Sequence, residues 1–568
     1  RIFDPAEDLY LRHHTLGPSA GTDDDLPALA VMPLTMSLEI LAEAASALVP
    51  DRTVVGLRDV LAYRWIAWDD RPQTLRITAR HRARIGSDDH VIAEIRNLTE
   101  DAESGEPLKS PVIEATVILS GGYPESPGSL LPHPEDGQPS RWQAGRLYPD
   151  VMFHGPSWQG VTAIDRTGTQ GIVATLRTLP VDSFFRSKSD PRFVLEPVVL
   201  DAAGQVIGFW TMEHLASGKV IFPFRVEAID LYGPSQPAGE DLACVAAIQL
   251  LGDQLVRSDI DVVTAEGRLW MRLTGWEDKR FELPSEFIPL IQASSHVEIS
   301  TGWPEPIASF PYPERLQCRR LAATFPSDQG FWKRVWAQRV LSRRERDQFR
   351  QLRTPEIRQL EWLAARTAAK EAVQQLVKAR YGLDLLHADI GISPDEEGRP
   401  LVGGAWTGTV DARPIISLAH SRGVAVAIAI IKDGDRGARI GIDIEHLCPR
   451  PAGFDEVAFT SSEREVLANL PADSREEWLI RCWCAKEAVA KALGTGLIEG
   501  PRSVAIAAVD LAGEQVAVRL AGELARRHPD LATISIVART VRQDDLIVAT
   551  TIWETADDWL PVLSDERR

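Results

Sequence analysis

The chain of 568 residues carries 62 basic and 81 acidic side chains, which gives a formal net charge of −19. Its length exceeds what one ordinary hydrophobic core organises, so we expect two to four domains. A general nucleic-acid-binding protein is normally basic, and the acidic balance argues against that class.

Cysteine usage and the length of the apolar runs predict a cytoplasmic protein. The cysteines form neither a paired framework nor a metal-ligand spacing, which favours a reducing compartment. They are Cys244, Cys318, Cys448, Cys482 and Cys484. The apolar runs fall well short of the roughly 20 residues that cross a bilayer. The chain begins Arg-Ile-Phe-Asp, without Met or a basic-then-apolar leader, and we interpret it as a piece of a longer protein.

A helix followed by strands occurs twice in the first half of the chain, which predicts an internally duplicated α+β domain over 1–296. Helical spacing of leucines predicts a helix over 33–49, and alternation of apolar and basic residues predicts a strand over 75–85. A second helical pattern lies around 200–212 and is again followed by strand-like stretches. The two halves are expected at about 1–125 and 141–296.

A linker and a second α/β module are predicted for the rest of the chain. Pro, Ser and Gly cluster at 297–330, which is typical of a linker. The module is expected over 331–560, with basic helices first, then strands, a long helix over 474–494 and further strands. Ser474 and Glu477 stand in capping-box spacing at the start of that helix.

Two acidic residues lie two positions apart on a predicted strand of this module. The alternating residues are Ile440, Gly441, Ile442, Asp443, Ile444 and Glu445. On a strand, the two carboxylates project from the face opposite the isoleucines, roughly 7 Å apart. Carboxylates that project together repel unless a cation lies between them, and a divalent cation with oxygen ligands satisfies both. A solvated acidic face on an edge strand is the alternative.

The long helix adds Glu487 and Lys491, which are four residues apart and share one face. Taken alone, such a pair is a common surface interaction worth a few tenths of a kcal/mol. Here the neighbouring Trp, Ala, Val and Leu residues predict that most of the helix is buried, and buried charges need partners.

Five motifs in sequence order resemble the surfactin-type 4'-phosphopantetheinyl transferases. They are "RTAAKEA" at 366–372, "EGRP" at 397–400, "SLAHS" at 417–421, "GIDIE" at 441–445 and "WCAKEAVAKALGTGL" at 483–497. The resemblance implies a pseudo-twofold α/β fold whose two halves meet at a coenzyme A site.

The resemblance also assigns roles to individual residues. It implies that Asp443, Glu445 and Glu487 hold a magnesium ion against the pyrophosphate of coenzyme A. It implies a set of phosphate contacts made by Arg366, Arg399 and His420, with Lys491 near the reacting phosphate.

This chemistry explains the types of residue that the motifs contain. Attack by a serine hydroxyl on the β-phosphate builds negative charge, which magnesium and Lys491 can stabilise. The hydroxyl also loses a proton, and Glu487, directly or through a magnesium-bound water, is a candidate base.

Three motifs of the first domain contain a histidine and an aspartate that come from different halves and could form a base and acid pair. The motifs are "RHHTLG" at 12–17, "FHGPSWQGV" at 153–161 and "LDAAGQ" at 200–205. A neutral imidazole suits proton removal beside a thioester carbonyl, and a protonated carboxyl helps hydroxide leave. Asp201 lies near a predicted helix start, so it needs burial in an apolar pocket to raise its pKa before it can act as an acid. A histidine without a role and an aspartate that only caps the helix are the alternatives.

Together these motifs resemble the double-hotdog dehydratase domains of polyketide and polyunsaturated fatty acid synthases, over roughly 1–295. "HGPSWQG" is similar to their HGPxFQG element, and Asp201 with Gln205 fits their DxxxQ motif. The resemblance implies that His14 is the base and Asp201 the acid, and that they convert a β-hydroxyacyl thioester to the α,β-enoyl thioester.

The histidine motif departs from the family pattern, which has glycine four residues after the histidine. That position is Pro18 when counted from His14 and Gly17 when counted from His13. We prefer His14, because His13 then occupies the Asp position of the usual "DHxxxG" start. His13 stays open as the alternative base.

A dehydratase followed by a transferase resembles the C-terminal order of enediyne-type and related iterative type I polyketide synthases. This implies that coenzyme A and the acyl carrier protein domain of the same synthase are the partners, with tethering that raises the effective concentration. The dehydratase domain could also form a homodimer, and no nucleic acid or membrane partner is expected. For the first domain, a non-catalytic scaffold that dimerises or docks the carrier, or a hotdog hydratase or cyclase, remains the alternative.

Overall fold

The computed structural model describes residues 1–17, 21, 26–100, 110–142, 144–215, 219–285, 287–291, 297–310, 313–322, 329–432, 438–497 and 500–553. The chain divides into two compact units. The first consists of Arg1–Pro18 and Pro27–Ser295, and the second of Ser19–Leu26 and His296–Arg568. Among the described helices, none has the length and apolar character that a bilayer span requires.

An antiparallel sheet of eleven strands organises the first unit. Its strands are β1 (Ile2–Phe3), β4 (Thr53–Ala62), β6 (Gln73–Ile85), β7 (Asp88–Asn97), β8 (Ile113–Ser120), β9 (Val161–Gly168), β10 (Gly171–Arg177), β11 (Lys219–Leu231), β12 (Asp241–Leu251), β13 (Leu255–Val263) and β14 (Leu269–Glu282). Their order across the sheet is β1-β6-β7-β8-β4-β11-β14-β13-β12-β10-β9. The β4–β11 pair joins the two halves, with Val60 opposite Val226. A separate small sheet contains β2 (Thr15–Leu16), β3 (Leu29–Val31) and β5 (Ala67–Trp68).

One long, buried helix covers each half of this sheet. Helix α1 (Leu34–Leu48) packs against β6, β7 and β8, and helix α3 (Pro197–His214) packs against β9, β10 and β12. The two helices also pack against each other. Shorter helices of this unit include α2 (Leu147–Asp150) and α4 (Ile288–Ile291). A long helix laid on an antiparallel sheet, occurring twice, confirms the predicted double-hotdog α+β domain.

Two further antiparallel sheets form the second unit. The six-stranded sheet, in the order β15-β16-β20-β19-β18-β17, contains β15 (Thr301–Gly302), β16 (Leu316–Ala322), β17 (Gly391–Pro394), β18 (Pro400–Gly403), β19 (Ile415–Ser421) and β20 (Val424–Ile430). The five-stranded sheet, in the order β21-β25-β24-β23-β22, contains β21 (Arg439–His446), β22 (Val504–Asp510), β23 (Gln515–Leu520), β24 (Ile536–Gln543) and β25 (Leu546–Trp553).

Each of these sheets also carries one long helix. The helices of the second unit are α5 (Gln329–Val340), α6 (Arg343–Gln351), α7 (Glu356–Tyr381), α8 (Phe454–Ala458), α9 (Ser461–Ala468), α10 (Arg475–Leu493) and α11 (Gly522–Arg527). Helix α7 packs against β16, β19 and β20, and α10 packs against β21 and β25. The two sheets meet where β19 lies against β21, and there the backbone N–H of Ile442 donates to Ser417 Oγ at 3.2 Å. This repetition confirms the pseudo-twofold α/β arrangement.

Helix α10 is buried along most of its length, as its composition predicts. Its core-facing residues are Trp478, Ile480, Ala485, Val489 and Leu493, each at most 5% exposed. Cys482 and Cys484 are free, buried thiols within the same helix. The helix ends at Gly494, whose φ of +86° suits glycine at this position.

The segment 297–330, predicted as a linker, differs from that expectation. Its described part contains β15 and β16, and β16 pairs with β20 inside the six-stranded sheet. Leu316, Cys318 and Trp303 are each 2% exposed, so this segment contributes to the core of the second unit. Of the prolines that indicated a linker, Pro306 and Pro313 lie in short 3-10 turns and Pro304 directly precedes the first of these turns, which is why the composition misled the prediction.

The predicted capping box at the start of α10 is also absent. Ser474 makes no capping hydrogen bond and donates instead to the carbonyl of Pro471 at 3.3 Å. Glu477 is engaged by Arg481 at 2.7 Å and by Arg542 at 2.6 Å. Two charged hydrogen bonds to guanidinium groups compete successfully with one backbone N–H for this carboxylate.

Candidate functional sites

A buried cluster of two histidines and one aspartate lies inside the first unit. His14 follows a 3-10 turn (Leu9–His13), His154 precedes another (Pro156–Trp158), and Asp201 lies in the second turn of α3. One nitrogen or oxygen ligand atom from each residue lies within 4.8 Å of the other two. The chain thus brings together the histidine and aspartate that the sequence predicts as a pair, and adds a second histidine.

His14 is held as a neutral imidazole with one free ring nitrogen. Its Nδ1 lies 2.7 Å from the carbonyl oxygen of Val31, which can only accept, so Nδ1 donates and Nε2 carries the lone pair. The side chain is 7% exposed. Burial, followed by the proximity of His154, lowers the pKa of His14 to about 4. At neutral pH, Nε2 is therefore a proton acceptor.

His154 reaches this cluster because its loop lies directly on the backbone of His13. A Cβ at Gly155 would stand 2.9 Å from the Cα of His13, so only glycine permits this approach. The ring of His154 stacks on Phe153 with centroids 4.2 Å apart, and its Nε2 lies 3.3 Å from Asp201 Oδ2. The second histidine is thus in direct contact with the aspartate.

Asp201 is surrounded by hydrogen-bond donors. Its Oδ2 accepts from Gln205 Nε2 at 2.7 Å, and its Oδ1 accepts from Thr35 Oγ1 at 3.4 Å. Burial raises the pKa of Asp201, but the hydrogen bond and charge of His154, together with His14 and Gln205, outweigh it and hold the pKa below the usual range. The raised pKa that an acid role requires of Asp201 is therefore not found in the structure, because His154 lies beside the carboxylate.

His13, the alternative base, faces a different group. Its Nδ1 lies 2.6 Å from Ser157 Oγ, on the 3-10 turn that follows His154. Gly17 has a φ of +101°, whereas Pro18 and the Asp-rich stretch at 22–25 lie outside the described residues. The side chain that meets Asp201 is His14.

The acidic residues of the second unit lie where β21 and α10 touch. A Cβ at Gly441 would stand 1.8 Å from the carbonyl oxygen of Ala488, so the strand and the helix are in backbone contact that only glycine allows. This contact brings Asp443, two residues along the strand, next to Glu487 and Lys491 on the helix. The isoleucines of β21 fill the opposite face, as the alternation predicts.

The side chain of Asp443 is buried, and only one of its two oxygens accepts a hydrogen bond of normal geometry. Lys491 Nζ donates to its Oδ1 at 2.8 Å and to the carbonyl of Ile442 at 3.1 Å. Oδ2 is buried and makes no hydrogen bond of normal geometry with any described residue, although the weak donor Cys484 lies close enough to favour the charged form. Burial raises the pKa of Asp443, Lys491 opposes the rise, and Glu445 adds to it.

Glu487 and Glu445 lie close enough to Asp443 for the negative charges of the three carboxylates to interact. Burial, then the charge of Asp443, raises the pKa of Glu487 to about 7; Lys491 opposes the rise and Glu445 adds to it. Glu445 accepts from Ser421 Oγ and from Arg450 Nη2, each at 3.0 Å. The three carboxylates are close enough to repel, but their oxygens do not all lie within 4.8 Å of one another: among the described residues only the His14 cluster meets that distance.

His420 and Arg399 lie near the Lys491 end of α10. His420 Nδ1 lies 3.1 Å from Oε2 of the buried Glu361, and burial is the main cause that lowers the pKa of His420, with Lys491 among the charges that act on it. Arg399 packs on the C-terminal end of α10, where a Cβ at Gly494 would meet its side chain at 2.2 Å. Arg399 also pairs with Asp395 at 3.0 Å and remains 46% exposed.

Arg366, the third predicted phosphate contact, is engaged elsewhere. Its guanidinium carbon stands 3.4 Å from the ring centroid of Trp362, and its Nε lies 3.5 Å from Glu345 Oε1. Burial lowers the pKa of Arg366 to about 10, against the opposing charge of Glu345. Glu345 also binds Lys370 at 2.6 Å. Arg366 therefore belongs to a buried network of ion pairs that joins helices α6 and α7.

Comparison with known proteins relates both sites to known domains. Residues 439–550 match the model of the 4'-phosphopantetheinyl transferase superfamily. A holo-[acyl-carrier-protein] synthase of Geobacillus kaustophilus (strain HTA426) is 40% identical over 100 residues, which are 17% of this chain and 73% of that protein. The chain belongs to this transferase superfamily.

The first unit also matches a described family. Residues 127–285 match the model of the polyketide synthase dehydratase N-terminal domain. Among solved structures, the dehydratase domain from the CurF module of curacin polyketide synthase is 17% identical, with a TM-score of 0.37, and covers 49% of this chain and 91% of that one. A trans-AT polyketide synthase dehydratase domain from Brevibacillus brevis is 19% identical, with a TM-score of 0.37, and covers 50% and 93%. By its family matches the chain is an enzyme with a polyketide synthase dehydratase domain and a phosphopantetheinyl transferase domain.

The donor set of the transferase domain fits a hard divalent cation such as Mg²⁺. Three carboxylates around the β21–α10 contact lie near enough to act on one another by charge, and hard cations prefer such oxygen ligands. The buried Oδ2 of Asp443 lacks a normal hydrogen bond, and the raised pKa values of Asp443 and Glu487 reflect unbalanced negative charge. A cation bound there would satisfy the oxygen and relieve the repulsion.

Two residues of these sites escaped the sequence analysis. His154 stands inside the quoted "HGPSWQG" motif, directly before the glycine that lies on His13, so the motif itself carried the signal. Glu361, which is 2% exposed, lies beside His420 and accepts from the backbone N–H of Gly423 at 2.8 Å. Nothing in the sequence around Glu361 distinguishes it from an ordinary helical glutamate.

Proposed function

We propose that the transferase domain moves the 4'-phosphopantetheine arm of coenzyme A onto a serine of an acyl carrier protein, with Mg²⁺ held by Asp443, Glu445 and Glu487. The observation that carries this proposal is the buried, half-satisfied carboxylate of Asp443 between Lys491 and two further carboxylates. Bound there, the ion would supply positive charge for the pyrophosphate of coenzyme A.

Other steps of the proposed transfer are assigned to individual side chains of the chain. Lys491, already 2.8 Å from Asp443, is positioned to stabilise negative charge that develops on the reacting phosphate. Glu487, whose pKa of about 7 lies close to neutral pH, is the candidate base for the serine hydroxyl. His420, held by Glu361, and the half-exposed Arg399 are the proposed phosphate contacts. Arg366 is the third proposed phosphate contact, and it would leave Glu345 to reach the phosphate.

A direct assay tests this proposal. The full chain is incubated with an excised apo acyl carrier domain of the same synthase, coenzyme A and Mg²⁺, and the carrier is weighed by mass spectrometry. We expect the mass of the phosphopantetheine arm to be added, and expect none after the metal is removed with EDTA. A carrier that gains no arm in the presence of Mg²⁺ refutes the proposal.

For the dehydratase domain, we propose removal of water from a β-hydroxyacyl thioester carried by the same partner. The His14–Asp201 arrangement supports this reaction. Neutral His14 Nε2 takes the proton next to the thioester carbonyl, and the departing β-hydroxyl takes a proton from the Asp201 side of the cluster and leaves as water. The buried cluster excludes bulk water, which would otherwise compete for both protons.

Incubation with a β-hydroxyacyl carrier separates this reaction from its rivals. Loss of water, read as a mass decrease, supports the dehydratase. A cyclised product, or hydration of an enoyl carrier without the reverse reaction, supports a different hotdog activity. An unchanged carrier supports a scaffold that dimerises or docks the carrier, and size-exclusion chromatography with light scattering then tests the proposed homodimer.

A further inference from the structure

The two histidines and the aspartate of the first unit also have the arrangement of a transition-metal site. His14, His154 and Asp201 each offer one ligand atom, and these atoms all lie within 4.8 Å of one another. Among the described residues, no other group of three histidine, cysteine, aspartate or glutamate side chains meets that distance. His14 and His154 are 7% and 8% exposed, so the ligand atoms converge inside the protein and not on a solvated surface.

The hydrogen bonds of the two imidazoles are compatible with metal binding. Nδ1 of His14 donates to the carbonyl oxygen of Val31 at 2.7 Å, so the lone pair of this ring is on Nε2. Such a hydrogen bond from the other ring nitrogen is the usual support of a metal-binding histidine, because it fixes the ring. Nδ1 of His154 is buried without a partner among the described residues, whichever tautomer the ring adopts. An ion at Nε2 of His154 therefore takes no hydrogen bond from its Nδ1.

Asp201 is oriented by donors that leave both of its oxygens able to bind an ion. Gln205 Nε2 donates to Oδ2 at 2.7 Å, and Thr35 Oγ1 donates to Oδ1 at 3.4 Å. Each carboxylate oxygen has two lone pairs, so an oxygen that accepts one hydrogen bond can still bind a metal. The Tyr148 hydroxyl donates to Gln205 Oε1 at 2.8 Å, which keeps the amide nitrogen turned towards Asp201. These outer contacts hold the carboxylate in the way that metal ligands are held.

The separations suit a tetrahedral ion of the size of Zn²⁺. Bonds of about 2.0–2.2 Å at tetrahedral angles place neighbouring ligand atoms roughly 3.4 Å apart. His154 Nε2 and Asp201 Oδ2 are already 3.3 Å apart. The three ligand atoms lie within 4.8 Å of one another, so the largest separation has to close by no more than about 1.4 Å. A water molecule would complete the fourth position.

We propose that His14, His154 and Asp201 bind a Zn²⁺ ion, and that the bound ion blocks the dehydratase domain. Imidazole nitrogens suit Zn²⁺, whereas Mg²⁺ requires octahedral oxygen ligands. The two domains therefore differ in the ion that they select, since the ligands here are two imidazoles and one carboxylate. The block rests on the proposed dehydration, because an ion on His14 Nε2 occupies the lone pair that takes the substrate proton. The binding of the ion does not depend on that reaction.

Co²⁺ reports the binding without turnover, because its visible absorption bands depend on coordination geometry, whereas Zn²⁺ has a filled d shell. The full chain is titrated with Co²⁺ in excess Mg²⁺, which occupies the carboxylates of the transferase domain. We expect the bands of a four-coordinate ion, with about one ion per chain, and their loss when Zn²⁺ displaces Co²⁺. Absence of these bands overturns the proposal.

Substitutions assign the ion to its ligands. His14→Gln and His154→Gln should each weaken binding by at least about 10²-fold, because loss of a ligand costs no less than loss of the group that supports it. His13→Gln, in the neighbouring histidine that faces Ser157, and Asp443→Ala are the matched controls and should bind Co²⁺ as the wild type does. Circular dichroism verifies that each variant is folded. Bands that persist unchanged in His14→Gln and His154→Gln overturn the proposal.

X-ray absorption of the Zn²⁺-loaded wild type gives the same answer without any substitution. We expect scattering from two imidazole rings, with nitrogens about 2.0–2.1 Å from the ion. A shell that contains fewer than two imidazoles overturns the proposed ligand set.

The dehydration assay separates the metal site from the proposed reaction. Zn²⁺ should abolish the loss of water from a β-hydroxyacyl carrier, and EDTA should restore it. A chain that binds the ion through both histidines but dehydrates no carrier, with or without metal, refutes the proposed function and supports the metal site. A Zn²⁺-saturated chain that dehydrates the carrier at the metal-free rate overturns the block.

Discussion

Lys491 donates a hydrogen bond to Asp443 across 2.8 Å, from the last turn of α10 to the middle of β21. Both groups are largely withdrawn from solvent, with side chains 28% and 10% exposed. The ammonium therefore balances part of the negative charge that three neighbouring carboxylates concentrate at this contact. It cannot balance all of it, because the pKa of Asp443 stays raised and that of Glu487 reaches about 7.

The first prediction concerns the acidic residues themselves. Asp443→Ala and Glu487→Ala should each abolish transfer of the phosphopantetheine arm, because each removes a proposed metal ligand, while circular dichroism and gel filtration should show a folded chain. Glu476→Ala, an exposed residue on the same helix, is the matched control and should transfer at the wild-type rate. Transfer at a near wild-type rate in either acidic-site variant contradicts the assignment.

A second prediction follows from the Lys491–Asp443 contact. Lys491→Met should lower the transfer rate by at least about 10²-fold, and should also lower the free energy of unfolding by about 1–3 kcal/mol, because Asp443 loses its cation while it stays buried. The double variant Asp443→Asn with Lys491→Met should regain most of that stability without regaining transfer. Chemical denaturation and the carrier mass assay measure the two effects separately. Equal stability of the single and double variants would mean that the two side chains do not interact.

A third prediction concerns the stability of the metal-free protein. The pKa of Glu487 is about 7 in the folded chain and 4.5 as a free side chain, so its ionised form is disfavoured by folding. The resulting loss in the free energy of unfolding is absent below pH 4.5, grows as the pH rises and is complete above about pH 7. Glu487→Gln removes it and should raise the free energy of unfolding in EDTA at pH 8 by about 1–3 kcal/mol, but by little at pH 4.5. Added Mg²⁺ should stabilise the wild type more than the variant, as thermal melts would reveal. An unchanged free energy of unfolding for Glu487→Gln at pH 8 would mean that burial and the neighbouring carboxylates do not disfavour the ionised form of Glu487.

The periodicity of the sequence predicted much of the order of helices and strands. It also predicted which face of each element carries the acidic-site residues, but not that the two elements touch. The alternation around Asp443 was enough to predict which face of β21 holds the carboxylates, because strand geometry fixes that face locally. The helical spacing of Glu487 and Lys491 likewise fixed their common face. That β21 and α10 would touch was not predictable from spacing, since it depends on the backbone contact of Gly441 with Ala488.

Partners distant in sequence account for what the sequence analysis missed. Glu477 satisfies a capping-box pattern, yet Arg542 lies 65 positions away and binds the same carboxylate. The acid role of Asp201 required a raised pKa, but that pKa is held low by His154, which is 47 positions earlier in the chain. The Pro-rich segment was predicted as a linker because composition does not reveal that β20 offers β16 a pairing edge. In each case a long-range contact overrides a correct local pattern.

A fourth prediction concerns the pH dependence of the dehydratase domain. An exposed histidine would lose its basic form below pH 6.5, whereas burial holds the pKa of His14 at about 4. His14 should therefore remain a base through pH 5, and dehydration should lose no activity through its protonation between pH 7 and 5. His14→Gln should lower kcat by about 10²-fold or more over the whole range. Stopped-flow mass analysis of a β-hydroxyacyl carrier, with circular dichroism at each pH, measures this directly.

The same lowered pKa has a consequence for stability, with a defined sign. Because the unfolded histidine binds a proton at pH 6.5 and folded His14 does so only near 4, acidification over this interval favours the unfolded chain. His14→Gln lacks this penalty, so its free energy of unfolding relative to the wild type should rise by up to about 3 kcal/mol between pH 6.5 and 4. His13→Gln, half-buried against Ser157, should show a smaller change. A difference between His14→Gln and wild type that stays constant with pH would mean that His14 titrates as an exposed histidine does, and neither its neutral state nor its role as the resting base would stand.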